Sequence, residues 1–200
     1  MALKILVANP DASKHELDIY KALSQSTPVQ HEGRSHLMSM IDFFEHKGPN
    51  GVHRCLVFDV MGPSTAGALE DLPSSVVTAS DGRRKYPVWM AKSILCQTLL
   101  GIDFSHENGI VHGDLQQGNI LFPVKDLGSI SEDELSQNNE ISEPVQRIDG
   151  NTDLWAPGYL ALNRPLTDYL DISPEFSVKI SDLGGGMLSE ILITIFPGHH

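Results

Sequence analysis

The spacing of apolar positions divides the chain into a strand-rich first part and a more helical second part. Residues 2–8 (ALKILVA) and the later segments 36–44 and 53–61 are short apolar runs bounded by turn residues, which predict strands. After the first of them, apolar positions recur at helical spacing in KHELDIYKAL, with Ser13 as the expected N-cap. The first sixty residues are therefore predicted to be mostly sheet with one helix.

A long amphipathic segment dominates the second part. Residues 88–107 (VWMAKSILCQTLLGIDFSHE) predict one continuous helix that ends at Asn108-Gly109, a typical C-cap signal. The stretch before it, GPSTAGALEDLPSS over residues 62–75, is rich in turn residues and is predicted to be a linker.

Short apolar runs and one acidic stretch follow this helix. Residues 110–112, 120–124 and 177–181 predict short strands. Residues 125–153 are acidic and rich in Ser and Asn, without a packing stripe, so a turn-like or disordered segment is expected there. Over residues 122–177, eleven acidic side chains oppose three basic ones, which gives this segment a net charge of −8.

The composition narrows the class of protein. With 200 residues, 40% of them apolar and 20% charged, the chain is expected to be an ordinary globular protein without a transmembrane helix or a membrane partner. Its net charge of −12 argues against direct binding to nucleic acid. Cys55 and Cys96 stand apart from each other, so no cysteine metal cluster is expected. Free thiols favour an intracellular location, in the cytoplasm, the nucleus or both.

The segment HGDLQQGNIL, residues 112–121, carries the strongest chemical signal. Phosphoryl transfer needs a carboxylate near the attacking hydroxyl and an oxygen ligand for Mg²⁺ at a fixed distance from it. Asp114 and Asn119 meet both needs, since they lie five residues apart between a predicted helix and a predicted strand. Gly118 allows the backbone to turn between them.

Two further segments carry matching chemistry. In VKISDLGGG, residues 178–186, Asp182 follows a predicted strand and precedes three glycines, which suits a magnesium ligand. Lys4 lies in the first predicted strand and Glu16 in the following helix. A strand lysine of this kind can bind phosphates while a helix glutamate orients it, although each residue alone is typical of a solvated surface.

The order of these motifs resembles that of a eukaryotic protein kinase. Within that family, GVHRCLVFDVMG is similar to the strand-to-hinge segment of the SR-protein kinases and their fungal relatives. Those kinases likewise have a DLG metal motif and a catalytic loop without the usual arginine, whose position is taken here by Gly113. The resemblance covers residues 1–121 and about 177–186.

The resemblance implies an α+β, protein kinase-like fold with two lobes, which is incomplete here. A partial N-lobe sheet with one helix would be joined to a partial helical C-lobe. Four regions are expected: a partial N-lobe and hinge, the start of the C-lobe with the catalytic loop, an acidic insert that is partly disordered, and a metal-binding DLG turn with an apolar tail. Their boundaries are residues 1–61, 62–121, 122–177 and 178–200.

The resemblance also implies a role for each polar motif residue. Lys4 would contact the phosphates of ATP, and Glu16 would anchor Lys4. Asp114 would orient the substrate hydroxyl or accept its proton. Asn119 and Asp182 would hold Mg²⁺.

The same resemblance implies an adenine pocket. Phe58 would close its back, and the backbone of Asp59 and Met61 would bind the adenine edge. Independently of the resemblance, Ile120 and Leu121 begin a predicted strand that could form the floor of an apolar base pocket. His112 would be a structural histidine that packs under the DLG turn.

The implied function is phosphoryl transfer from Mg-ATP to a protein serine or threonine, with basic Arg/Ser-rich proteins as substrates. The acidic character of the chain would suit such substrates electrostatically. No glycine-rich loop precedes Lys4, no activation segment follows Gly186, and Gln116 stands where the family has a loop lysine. The expectation is therefore a kinase segment truncated at both ends, with its catalytic activity and its oligomeric state left open.

Two alternative functions stay open at this point. The departures from the family pattern are also those of a pseudokinase or a nucleotide-binding regulatory fragment. The His112-Gly113-Asp114 sequence is in addition similar to small-molecule phosphotransferases of the aminoglycoside or choline kinase type.

Overall fold

The computed structural model describes most of the chain, in eight separate ranges. The described residues are 1–8, 10–26, 30–48, 51–80, 83–125, 127–136, 149–150 and 166–188. Helices and mainly antiparallel strands are mixed along these residues, so the predicted α+β class is confirmed.

The first sheet has three antiparallel strands in the order β1-β3-β2. They are β1 (Ala2–Ile5), β2 (Met40–Gly48) and β3 (Gly51–Phe58). The predicted boundaries of the second and third strands were wrong, because Gly48 pairs with Gly51 and both strands therefore run up to the turn. Gly51 has a φ of 125°, a backbone conformation that favours glycine.

The helix predicted after the first strand is α1 (Pro10–Ser24). Ser13 was wrongly predicted as its N-cap, because the helix already begins at Pro10, a residue that suits a first helical turn. Leu17, Ile19 and Tyr20 lie on its buried face, as the apolar spacing predicted. This face packs against β3 and holds α1 on the sheet.

The linker predicted over residues 62–75 was wrong, because most of it forms regular structure. It contains strand β4 (Met61–Ser64) and helix α2 (Thr65–Asp71). The Ser64 hydroxyl caps this helix by accepting a hydrogen bond of 3.1 Å from the Gly67 N–H. A small hairpin follows, made of β5 (Thr78–Ser80) and β6 (Arg83–Lys85).

The long amphipathic helix is confirmed at both ends as α3 (Val88–Glu107). Gly109 follows it with a φ of 69°, the left-handed conformation that ends many helices. The buried face of α3 includes Met90 and Ile94 in its first half and Phe104 near its end. Because its two halves contribute to different apolar clusters, this helix connects them.

The remaining strands are short. The predicted strands near 110, 120 and 180 are confirmed as β7 (Ile110–Val111), β8 (Ile120–Pro123) and β9 (Lys179–Ile180). An additional strand, β10 (Met187–Leu188), pairs with β7, while β8 pairs with both β4 and β9.

The acidic segment is partly ordered where the structure describes it. Leu127–Ser129 forms one 3-10 turn, and α4 (Glu132–Leu135) is a single helical turn capped by the Ser131 hydroxyl. Further 3-10 turns lie at Glu32–His36, Gln117–Asn119, Thr167–Tyr169 and Leu183–Gly185. Much of the predicted disordered insert, and the apolar tail beyond residue 188, lie outside the described residues.

Two apolar clusters form the core of the described residues. The first joins α1 and β3 to the end of α3, with Ile110, Ile180 and Leu183. The second joins α2 and the start of α3 to β8, with Phe176 and Val178. The segments with the chemical motifs lie where the two clusters adjoin, at the end of α3 and along the β8–β9 pair. None of the helices described is long and apolar enough to cross a membrane.

Candidate active site

Three ionisable side chains, Lys4, Glu16 and Asp182, form a charged corner. The Lys4 Nζ atom lies 2.8 Å from Glu16 Oε1 and 2.7 Å from Asp182 Oδ1. Lys4 points from β1 toward the α1 side of the sheet, and Glu16 lies on the buried face of α1. The structure therefore brings together three residues that were predicted to share a site.

The environment of the charged corner favours the ionised forms of Lys4 and Asp182. Partial burial alone would lower the pKa of Lys4, but its hydrogen bonds to Asp182 and Glu16 outweigh burial and raise this pKa above the usual value. The hydrogen bond from Lys4 also lowers the pKa of Asp182, against a smaller opposing effect of burial. The corner therefore holds one ammonium group between two carboxylates.

The backbone at Asp182 turns the carboxylate toward Lys4. Asp182 has a φ of 61° and a ψ of 65°, an uncommon left-handed conformation for a residue other than glycine. Leu183 follows it and is fully buried in the first apolar cluster, which anchors the turn. Gly184 lets the turn lie close to the Glu16 carboxylate, since a Cβ built on Gly184 would lie 3.3 Å from Glu16 Oε2.

Residues 112–119 form the HGD loop, and its side chains His112, Asp114 and Asn119 make the second part of the site. Asn119 Nδ2 donates to the Asp114 carbonyl oxygen at 2.8 Å and to Asp114 Oδ2 at 3.3 Å. The 3-10 turn Gln117–Asn119 buries Asn119 while Asp114 stays exposed. With its Nδ2 engaged, Asn119 has its Oδ1 atom left as an oxygen donor for a cation.

The HGD loop and the DLG turn are attached to each other. The Ser181 N–H donates to the Asn119 carbonyl at 2.8 Å, and the buried His112 ring is hydrogen-bonded through Nε2 to the Ser181 carbonyl at 2.9 Å. Asp182 directly follows Ser181, so these bonds hold Asp182 next to Asn119. The predicted position of His112 under the DLG turn agrees with this geometry.

Gly113 makes this close approach possible. Its φ is 77°, and a Cβ at this position would lie 2.1 Å from the Gly185 carbonyl oxygen. No side chain fits there without a shift of the backbone, which gives a local physical reason for the missing arginine.

The residues predicted for an adenine pocket lie in two different environments. The Phe58 ring is buried and packs edge-on against Tyr20, with ring centroids 5.0 Å apart. Asp59 and Met61 line a cavity of about 430 Å³ together with Lys125 and Lys179. Leu121 is half-buried in β8, opposite Lys179 of β9, and it does not line that cavity.

The sequence alone did not reveal the polar interactions of three residues near the site, which are Tyr20, Thr65 and Gln116. Tyr20 was predicted only as an apolar position of α1, although it lies four residues after Glu16 and so on the same helix face. Burial raises the pKa of its phenol, and the nearby Glu16 charge acts in the same direction. Thr65 is buried and donates to the Gln117 carbonyl at 3.0 Å, and Gln116 contacts Asp114.

A second group of potential metal ligands lies away from the site, at His31, Asp103 and Glu107. His31 Nδ1 accepts a hydrogen bond of 2.9 Å from the Gly33 N–H, so the proton of a neutral ring is on Nε2. That Nε2 atom lies 3.5 Å from Asp103 Oδ2 and 3.6 Å from Glu107 Oε2. A metal ion on Nε2 would place the ring proton on Nδ1, opposite the Gly33 N–H, so this hydrogen bond disfavours metal binding by the three residues.

The sequence of this chain is similar to those of known protein kinases. No family model matches the chain. Protein kinase dsk1 of Schizosaccharomyces pombe is 39% identical over 127 residues, which cover 62% of this chain and 22% of that kinase. Serine/threonine-protein kinase SKY1 of Saccharomyces cerevisiae is 29% identical over 123 residues, 60% of this chain and 15% of that kinase.

A third relative matches a similar share of this chain. Serine/threonine-protein kinase SRPK of Physarum polycephalum is 26% identical over 125 residues, 60% of this chain and 26% of that kinase. This chain therefore spans about a quarter or less of the length of these three relatives.

A strand lysine paired with a helix glutamate, an HxDxxxxN loop and a DLG turn together define the class as protein kinase-like. The matched relatives support this resemblance, because about 60% of the chain is similar to proteins named as protein kinases, among them a serine/threonine-protein kinase SRPK.

Proposed function

We propose that the chain forms the ATP- and magnesium-handling centre of a serine/threonine protein kinase of the SR-protein kinase type. The observation that carries the proposal is the charged corner, in which Lys4 lies between Glu16 and Asp182 beside the HGD loop. An ammonium group held in this way can bind phosphate oxygens. Asp182 and Asn119 offer the oxygen donors that Mg²⁺ prefers.

The proposed roles of the polar residues follow from this chemistry. Lys4 binds the phosphates of ATP, and Glu16 keeps the Lys4 side chain in place. Asp182 and Asn119 hold Mg²⁺, which would neutralise charge on the phosphoryl group during transfer. Asp114, exposed at the surface of the HGD loop, orients the attacking hydroxyl and accepts its proton.

The adenine-binding residues and the two-lobed arrangement are part of the same proposal. The second apolar cluster, made by α2, the start of α3 and β8, supports a C-lobe with a core of its own, while the first cluster joins the N-lobe sheet to the end of α3. Phe58 would close the back of the adenine pocket, Asp59 and Met61 would bind the adenine edge, and Leu121 would form the floor.

The proposed substrates are basic, Arg/Ser-rich proteins. The similarity to SR-protein kinases supports this proposal. The charge of the chain supports it as well, because the net charge is −12 and residues 122–177 alone carry −8. An acidic surface attracts cationic peptides and raises their rate of association at low ionic strength.

An intracellular location stays a prediction, which imaging of the fluorescently tagged chain would test.

A phosphotransfer assay with the whole chain tests this function. Mg-ATP and an Arg/Ser-repeat peptide are expected to give phosphoserine, and Asp114→Asn is expected to lower the rate by roughly 100-fold or more. Asp103→Asn, at an exposed position of α3, is the matched control and is expected to leave the rate unchanged. No transfer by the wild-type chain, with ATP bound, would exclude the enzyme function.

A second candidate function is a nucleotide-binding regulatory segment without catalysis. The observation that favours it is the neutral Gln116 in the HGD loop, because among the described contacts of Asp114 no cation is present to assist the transferred phosphate. This function predicts ATP-dependent thermal stabilisation that Asp114→Ala does not change. Phosphorylation of a small amino-alcohol instead of the peptide would identify the small-molecule phosphotransferase alternative.

A further inference from the structure

Gln116 contacts the carboxylate of Asp114 with its side-chain amide. Gln116 Nε2 lies 3.2 Å from Asp114 Oδ2 and 3.4 Å from Asp114 Oδ1. Asn119 Nδ2 also lies 3.3 Å from Asp114 Oδ2. The carboxylate is therefore held by two neutral amide groups, and no cation within the described contacts pairs with it.

The backbone of Gln116 contributes to the same arrangement. Its carbonyl accepts a hydrogen bond of 2.9 Å from the Asn119 N–H, which closes the 3-10 turn Gln117–Asn119. The side chain thus reaches Asp114 while the main chain helps to place Asn119. One residue connects the two functional side chains of the HGD loop.

A neutral amide and a lysine would affect Asp114 differently. An amide N–H restricts the orientation of a carboxylate through a hydrogen bond but leaves its full negative charge. A lysine ammonium would form an ion pair and reduce the attraction of the site for a cationic substrate.

We propose that Gln116 is a positioning residue for Asp114, holding its carboxylate in one orientation without neutralising it. This inference rests on the proposed kinase function, because orientation of Asp114 matters only if this carboxylate faces a substrate hydroxyl. A base that is free to rotate spends less time in the reactive geometry, so loss of the amide lowers the rate of the chemical step.

Gln117 provides a matched control for every substitution at Gln116. It is the same residue type and is adjacent and exposed. Its backbone carbonyl accepts hydrogen bonds from Thr65 and Ile120, whereas none of the described hydrogen bonds uses its side chain. Gln116→Leu removes the donor at nearly constant size. Gln116→Lys replaces the amide donor with an ammonium donor. Comparison of the Leu and Lys variants therefore separates loss of the hydrogen bond from the effect of any substitution at this position.

The kinetic test compares kcat with the KM for ATP. Gln116→Leu is expected to lower kcat about 10-fold with less than about a twofold change in KM for ATP, since only the orientation of Asp114 is affected. Gln116→Lys is expected to keep at least about half of the wild-type kcat. Gln117→Leu is expected to match the wild type. Equal values of kcat for wild type and Gln116→Leu, or equal losses in both Leu variants, would overturn the inference.

A measurement without turnover separates this inference from the proposed function. In ¹⁵N-labelled protein, Asp114→Ala is expected to shift the side-chain amide resonance of Gln116, while that of Gln117 stays in place. If the wild type transfers no phosphate but this shift occurs, the kinase function is wrong and the contact stands. If both amide resonances are unaffected in an active protein, the inference is wrong and the kinase function stands.

Discussion

The charged corner and the HGD loop lie next to each other but are held by different forces. Lys4 bridges two carboxylates at 2.7 and 2.8 Å, whereas Asp114 is contacted by the neutral side chains of Gln116 and Asn119 at 3.2 to 3.4 Å. The Glu16 carboxylate is buried, with 5% of its side chain exposed, while Asp114 is exposed. One region is a partly desolvated ion cluster, and the other is a surface loop shaped by amides and backbone turns.

This difference matches what each region has to do. A residue that binds phosphates needs a positive charge kept in place, and the two carboxylates around Lys4 raise its pKa and fix its position. A residue that accepts a proton must keep its negative charge available, and neutral hydrogen bonds allow this. Substitutions in the charged corner should therefore reduce both stability and activity, while those in the loop should act mainly on activity or on local packing.

The largest expected effect is at Lys4. Lys4→Met keeps the length of the side chain but removes the ammonium group, so phosphotransfer is expected to fall by about 100-fold or more, with weaker binding of Mg-ATP. Radiolabelled transfer and a nucleotide-dependent thermal shift measure the two effects. Lys92→Met, at an exposed position of α3, serves as the control and should match the wild type. Normal ATP binding by Lys4→Met would contradict the proposed role.

A smaller effect is expected when Glu16, the buried carboxylate of the charged corner, loses its negative charge. Glu16→Gln leaves Lys4 with Asp182 alone, and we expect a loss of about 2–3 kcal/mol in the free energy of unfolding, below the full cost of breaking a buried pair because Lys4 is partly exposed. Urea denaturation measures it, with Glu70→Gln on α2 as the exposed control. Equal stability of the two variants would mean that the ion pair is not a structural contact.

The contact between the two regions has its own test at His112. His112→Phe keeps a planar ring but leaves the Ser181 carbonyl without its 2.9 Å partner, at an expected cost of about 1–2 kcal/mol. Because that bond holds the DLG turn against the loop, affinity for Mg-ATP should fall as well. Chemical denaturation and a nucleotide titration check both effects. His106→Phe, at the exposed end of α3, is the comparison, and identical behaviour of both variants would contradict the coupling.

The smallest effect is expected on the loop side. Thr65→Val removes a buried hydroxyl that donates to the Gln117 carbonyl at 3.0 Å, and the expected loss of stability is about 1 kcal/mol. The exposed Thr78 hydroxyl has a longer contact of 3.4 Å, so Thr78→Val should change stability less. Thermal unfolding of the two variants measures the difference. A larger loss for Thr78→Val would show that α2 does not support the loop.

Strong local signals could be interpreted correctly from the sequence. The α3 helix was predicted from end to end because its apolar periodicity lasts for five turns and stops at Asn108-Gly109. The residues of the charged corner and of the HGD loop were identified by motif order. Their predicted roles in ATP and metal binding stay predictions, although the structure brings these residues together.

Weaker signals were overridden by tertiary contacts. Residues 62–75 contain Gly, Pro and Ser, which favour turns, but Ser64 caps α2 and Ala68 and Leu72 bury its apolar face. The strand boundaries of the β2–β3 hairpin depend on the register with which Gly48 meets Gly51, and many registers satisfy the same local pattern. Gln116 was noted as a departure from a family pattern, and only its position revealed the contact with Asp114.

By itself, the sequence determined the chemistry of the site: which side chains carry charge, which are amides, and in which order strands, helices and glycines present them. Only the tertiary structure decided that Lys4 and Asp182, which are far apart along the chain, form an ion pair, and that Gly113 must be a glycine because Gly185 packs against it. The physical reason is that periodicity and capping act within a few residues, whereas these contacts form when two apolar clusters pack and bring distant turns together.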